Sequence, residues 1–232
     1  MARRPPAAAL AAALAAALAA ALAGLVAAGS LTRLDQAALD HVMPAVEPTA
    51  QLPTAGSSAF PIFHASQHHG HVALSAVTYG VVFLASAVPS AVLVGLCLLC
   101  LRRRGELRLG LALGAAFVAA NVVEVLGKEV LERPALFLHE HGRPPFHLAV
   151  FDSSFPSGHA LRSLLVALAA GLCVPAARWA LALWVAACAA LLVVGGWHTP
   201  TDVAGGLLLA AWAGAAALGA RTRGGGRPYG PD

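Results

Sequence analysis

Long apolar runs separated by short polar breaks organise this chain. From Ala7 to Ala28, Ala and Leu alternate almost without interruption behind an Arg3-Arg4 pair. Further runs extend from about Val72 to Leu101, Leu109 to Gly127, Gly158 to Val174, Trp179 to Gly196 and Val203 to Ala220. Runs of about 20 residues with few charges are long enough to cross a bilayer as helices. The pattern predicts an all-α polytopic membrane bundle of about six transmembrane helices. The first run exceeds the ~7–15-residue apolar core of a cleaved signal peptide, so it reads as a retained first span or signal anchor. The expected organisation is residues 1–28 as that span, 29–71 as an extracytoplasmic loop, 72–220 as the membrane core and 221–232 as a disordered basic tail.

The polar breaks carry their own signals. Pro44, Pro48, Pro53 and Pro61 argue against a continuous helix between residues 30 and 70. Leu31 to Val42 is expected to form a short amphipathic piece lying on the membrane. His64, His68, His69 and His71 follow; without carboxylates at ligand spacing they read as a solvated loop rather than a metal site. A second polar stretch, Glu129 to Ser157, is rich in Pro, His and Arg. Within it His139, His141, Arg143 and His147 are expected to belong to a solvated loop, and Asp152 to a turn.

Composition agrees with a membrane protein. The chain is 59% hydrophobic and 11% charged, with a mean hydropathy of +0.74, which a soluble domain of this size would not show. The net charge of +4 does not imply nucleic acid, because the arginines sit at the ends of apolar runs instead of interleaving with aromatics. Arg3, Arg4, Arg102, Arg103, Arg104, Arg108, Arg178 and the tail arginines fall on one side of a six-span topology. The positive-inside bias makes that side cytoplasmic, together with both termini. Lys128, Ser157, His159, His198 and Asp202 then share the extracytoplasmic side. Abundant Ala, Arg and Gly suggest a GC-rich bacterial genome and hence the inner membrane. Cys97 and Cys100 have C-x-x-C spacing, but with Cys173 and Cys188 they lie inside apolar runs and are expected to be packing thiols.

Two breaks hold chemistry. Pro156-Ser157-Gly158-His159 opens the fourth run, and His198-Thr199-Pro200-Thr201-Asp202 precedes the sixth. A carboxylate four residues from a histidine can fix its tautomer. A second histidine beside a Ser-Gly turn can move a proton. Ser157 and the N–H groups of Gly158 and His159 would present a helix N-terminus to an anion. Lys128 and Arg133 would add cationic donors. Singly, His198 would read as an interfacial anchor and Asp202 as a helix cap; together on one face they point to attack on a phosphate.

On these residues the chain resembles the type 2 phosphatidic acid phosphatase (PAP2) family, over about Leu109 to Ala220. That family's pattern joins a Lys and an Arg-Pro, a Pro-Ser-Gly-His, and a Ser-Arg block ending in His-x-x-x-Asp. The second block and the His-x-x-x-Asp are intact here. Four residues instead of six separate Lys128 from Arg133-Pro134, and Leu191-Leu192 stand where Ser and Arg are expected. The resemblance implies His198 as nucleophile, forming a phosphohistidine, with Asp202 orienting it. His159 would be the acid and base, and no metal or other cofactor is implied. Lys128, Arg133, Ser157 and Gly158 would bind the phosphate, with Arg162 filling the gap left by Leu192. Arg162, one turn inside the fourth span, has two readings: a phosphate ligand, or a structural pair with Glu124.

The implied activity is hydrolysis of a lipid phosphate or pyrophosphate whose tail stays in the bilayer. Polyprenyl pyrophosphate, phosphatidic acid and phosphatidylglycerol phosphate are the substrates weighed. The competing readings are a non-catalytic lipid-phosphate-binding relative and a lipid phosphotransferase. A haloperoxidase-like relative is disfavoured, because those proteins are soluble.

Overall fold

The structure is a computed structural model that describes residues 7–42, 79–139 and 144–224. Arg3, Arg4, the four loop histidines 64–71, the start of the second run, His141, Arg143 and residues 225–232 lie outside the described residues. Seven α-helices have both ends among the described residues: α1 Ala7–Ala27, α2 Thr32–Val42, α3 Ala87–Arg103, α4 Leu107–Val130, α5 Gly158–Cys173, α6 Arg178–Val194 and α7 Pro200–Gly224. Two-residue strands, β1 Phe137–Leu138 and β2 Phe146–His147, pair antiparallel in the connection between α4 and α5.

The chain is an all-helical membrane bundle. Four helical stretches are long and apolar enough to cross a membrane: Ala7–Ala27, Leu107–Val130, Pro175–Val194 and Pro200–Ala220. Gly158–Cys173 is a shorter apolar helix. Helices α5 and α7 form the centre, α5 touching α3, α4, α6 and α7, and α7 touching α1, α4 and α5. Their shared core is Leu161, Leu165, Leu209, Ala210 and Ala213, with Ala120 of α4. Leu10, Leu14, Leu18 and Leu25 of α1 remain exposed, as suits a helix with lipid around most of its circumference. The four cysteines are free thiols, and Cys97, Cys100 and Cys173 pack in one apolar cluster with Leu101 and Leu109.

One expectation is corrected. The second apolar run does not form one continuous helix among its described residues. Residues 79–83 are helical, 84–86 form a turn, and α3 starts at Ala87. Pro89 explains the break: it has no N–H to offer the carbonyl four residues earlier, that of Ala85. Helix α2 buries Asp35 and Leu39, and Leu39 packs with Leu136, Leu148 and Phe151. Its inner face therefore meets the α4–α5 connection.

Candidate active site

The N-termini of α5 and α7 lie side by side, which brings the two motifs together. The Ser157 N–H donates to the Asp202 carbonyl at 2.9 Å. A Cβ on Gly206 would stand 2.2 Å from the Ser157 carbonyl oxygen, so only glycine permits this approach. Gly206→Ala is expected to cost about 2–3 kcal/mol by forcing backbone apart. A thermal melt of the detergent-solubilised variant checks this; an unchanged midpoint would contradict it.

His198 is placed by the end of α6. Gly196 turns the chain with φ +69°, and the Leu192 carbonyl accepts the N–H groups of both Trp197 and His198, at 2.9 and 3.0 Å. The chain then enters α7 through a capping box. Thr199 Oγ1 accepts the Asp202 N–H at 3.3 Å, and Asp202 Oδ2 accepts the Thr199 N–H at 3.0 Å. Pro200 fills the first helical position, where no N–H is needed. Asp202 is thus both a capping residue and the partner of His198, whose Nδ1 lies 3.4 Å from Asp202 Oδ2. Both carboxylate oxygens are occupied. Ser154 Oγ donates to Oδ2 at 2.7 Å and Arg133 Nη1 to Oδ1 at 2.8 Å.

His159, in the first turn of α5, faces this dyad. Its ring centroid is 6.3 Å from that of His198 and 6.1 Å from that of Trp197, the latter edge-on. Arg162, His198 and Lys128 all lie within electrostatic reach of His159.

A second cluster lies on the α4 side. Glu124 receives Lys128 on Oε1 and faces Arg162 Nη1 at 3.6 Å on Oε2. Arg162 Nη1 also donates to Asn121 Oδ1 at 3.1 Å, and its Nε to the Ala85 carbonyl at 2.9 Å. That carbonyl is the one Pro89 leaves unclaimed. A Cβ on Gly158 would lie 2.8 Å from both Arg162 Nη atoms, so the guanidinium sits directly against the start of α5. The pairing of Arg162 with Glu124 is present, and its fork still reaches the helix end where an anion would bind.

Arg133 and Ser157 stand differently from the sequence expectation. The Arg133 guanidinium is held between Asp202 and Asp35 of α2, with Nη2 2.7 Å from Asp35 Oδ2. Its side chain is 3% exposed and both Nη atoms are engaged, while its buried Nε has no hydrogen-bond partner. Ser157 is fully buried as the cap of α5, its Oγ accepting the Ala160 N–H at 3.4 Å. Leu192, in place of the third-block arginine, is buried against Val82, Ala160, Cys188 and Val203. His139 and His147 lie in exposed pairs with Asp40 and Asp152. Sequence reasoning missed Asp35, Asn121, Ser154 and the Ala85 carbonyl. Of these only the last left a signal, the proline four residues on.

The PAP2 superfamily profile matches residues 105–223. The chain belongs to the PAP2 superfamily. Its fold is similar to that in a crystal structure of a transmembrane PAP2-type phosphatidylglycerolphosphate phosphatase from Bacillus subtilis, with a TM-score of 0.61 and 18% identity. The similarity covers 91% of this chain and 96% of that one. No curated protein sequence matches the chain. Asp35 lies outside the matched PAP2 region, whereas every other polar group of the two clusters except the Ala85 carbonyl lies inside it.

Proposed function

We propose that this PAP2 protein is a lipid phosphate phosphatase that hydrolyses a phosphorylated or pyrophosphorylated lipid through a phosphohistidine on His198. The observation that carries the reading is the facing pair of histidines, one with its Nδ1 side against a carboxylate. Asp202 accepts a hydrogen bond from Nδ1–H, and the tautomer so held has its lone pair on Nε2 for attack. A bond forms from Nε2 to phosphorus while the bond to the leaving oxygen breaks. His159 gives that oxygen its proton, then takes one from the water that displaces the phosphate from His198. Lys128, Arg162 and the N-terminus of α5 compensate the charge on the equatorial oxygens. Arg133 is read here as a strut for Asp202, with its Nη atoms engaged and its Nε left without a partner.

Arg102 and Arg103 end α3, Arg108 begins α4 and Arg178 begins α6, at the opposite end of the bundle from His159 and His198. The positive-inside bias therefore supports a six-span topology with an extracytoplasmic site. The substrates weighed are a polyprenyl pyrophosphate, phosphatidic acid and phosphatidylglycerol phosphate, the last sharing its chemistry with the substrate named for the Bacillus subtilis protein. All positive charge in this scheme comes from side chains and a helix end. EDTA is accordingly expected to leave the initial rate of phosphate release unchanged, and a rate lost to EDTA and restored by one cation would refute that part.

Trapping tests the intermediate. Rapid quenching with substrate labelled in its terminal phosphate should leave an acid-labile, alkali-stable label on His198. Turnover that leaves no label on His198 would reject the phosphohistidine. Label that passes to a lipid alcohol instead of water would identify a phosphotransferase.

A further inference from the structure

We infer that Asp35, on α2 and outside the PAP2 region of the chain, is a positioning residue that sets the nucleophilicity of His198 through Arg133 and Asp202. The inference rests on the proposed role of His198.

Asp35 is 1% exposed. Its Oδ2 receives Arg133 Nη2 at 2.7 Å and Thr201 Oγ1 at 2.6 Å, and its Oδ1 receives the Thr201 N–H at 3.2 Å. Arg133 in turn reaches Asp202, Ser154 and Thr199 with Nη1 alone. A chain of charge-assisted contacts therefore runs from α2 through one guanidinium to the carboxylate beside His198. Such buried charges are retained only when each is paired.

Charge balance says what Asp35 adds. With Asp202 alone, Arg133 would neutralise the carboxylate on which His198 depends. With Asp35 present, two carboxylates share one guanidinium, and the buried trio carries a net charge of −1. That surplus faces the ring at the moment it becomes cationic, when Nε2 bonds to phosphorus. Asp35 thus leaves the Asp202 charge available to the developing imidazolium. A helix that supplied only packing would have no need of a carboxylate here, because Leu39 already provides the apolar contact of α2.

The test uses full-length protein in detergent and a reagent that reports on His198 without any lipid. Diethyl pyrocarbonate acylates unprotonated imidazole nitrogen, and mass spectrometry of the His198 peptide follows its limiting rate at a pH where the ring is fully deprotonated, with N-acetylhistidine in the same solution as reference. Asp35→Asn should slow His198 modification about 10-fold, Asp202→Asn by at least as much, and the double variant no more than Asp202→Asn alone. Asp35→Glu should recover part of the rate. Hydrolysis of whichever of the three lipids wild type turns over should fall in kcat with KM held within about twofold.

A purely structural role predicts the opposite sign. Loosening α2 would expose His198 and speed its modification while lowering thermal stability. Faster or unchanged modification in Asp35→Asn, or additive losses in the double variant, overturns the inference. If His198→Ala and Asp202→Asn leave phosphate release intact, the proposed function fails instead. If they abolish it while Asp35→Asn matches wild type in both assays, only the role of Asp35 fails.

Discussion

His198→Ala should lower phosphate release from a lipid phosphate by at least about 1,000-fold, with the bundle still folded. The scheme leaves no second nucleophile: the His159 ring stands 6.3 Å from that of His198 but is given the proton-transfer role. Removing a nucleophile from a covalent mechanism forfeits both its steps, and the residue left by charge stabilisation alone is small. The His198 side chain meets Asp202 and the His159 ring, and its backbone N–H, with that of Trp197, holds the turn to Leu192. Alanine preserves that backbone bond, so the thermal midpoint should stay near that of wild type. A variant that is fully folded and retains a tenth of the wild-type rate would remove His198 from the mechanism.

Arg162→Met should reduce kcat/KM by about 100-fold or more and should also destabilise the protein. Glu124 is shared by Lys128 and Arg162, and its side chain is 6% exposed. Deleting one cation leaves a buried carboxylate with Lys128 alone, and breaking a buried pair costs about 3–5 kcal/mol. It also leaves the Ala85 carbonyl, which lies beside the break made by Pro89, without its partner. The fork that lies against Gly158 is lost at the same time. Arg162→Lys separates the two roles. It keeps a charge for Glu124 but cannot hold Glu124, Asn121, Ala85 and an anion together, because a single ammonium lacks the fork. Stability should therefore recover more than catalysis. Equal recovery of both would make Arg162 a structural residue only.

What was legible in the sequence follows from what is periodic or local. Six of the seven helices are apolar, and their ends lie near the polar breaks, because a bilayer leaves the backbone no other way to satisfy itself. The proximity of Glu124, Lys128 and Arg162 was also readable. Glu124 and Lys128 are one turn apart on α4, and an arginine inside a span requires a partner. The i, i+4 pair of Asp202 with His198 was readable and is present, whereas the cap expected at Asp202 is Thr199, with Asp202 at the third helical position.

The remainder depended on tertiary neighbours. Asp35 looks like one of several polar positions on a short amphipathic helix, and its partner Arg133 is 98 residues away. Nothing local tells a solvated aspartate from one that is 1% exposed. The environment of Arg133 was opaque for the same reason. The shortened spacing after Lys128 was visible, but the two carboxylates that claim the guanidinium come from α2 and α7. Leu192 was recognisable as a missing arginine. That α6 instead buries it in an apolar cluster, while Arg162 approaches the helix end from α5, required the packing to be seen.

In the proposed function, this end of the bundle hydrolyses lipid phosphates with its own side chains. The most direct measurement is phosphate release by detergent-purified wild-type protein, beside His198→Ala, in EDTA. The panel would be a polyprenyl pyrophosphate, phosphatidic acid and phosphatidylglycerol phosphate. Wild type should release phosphate from at least one lipid and the variant from none. Folded wild-type protein that releases phosphate from none of them, or releases it equally with and without His198, would contradict that function.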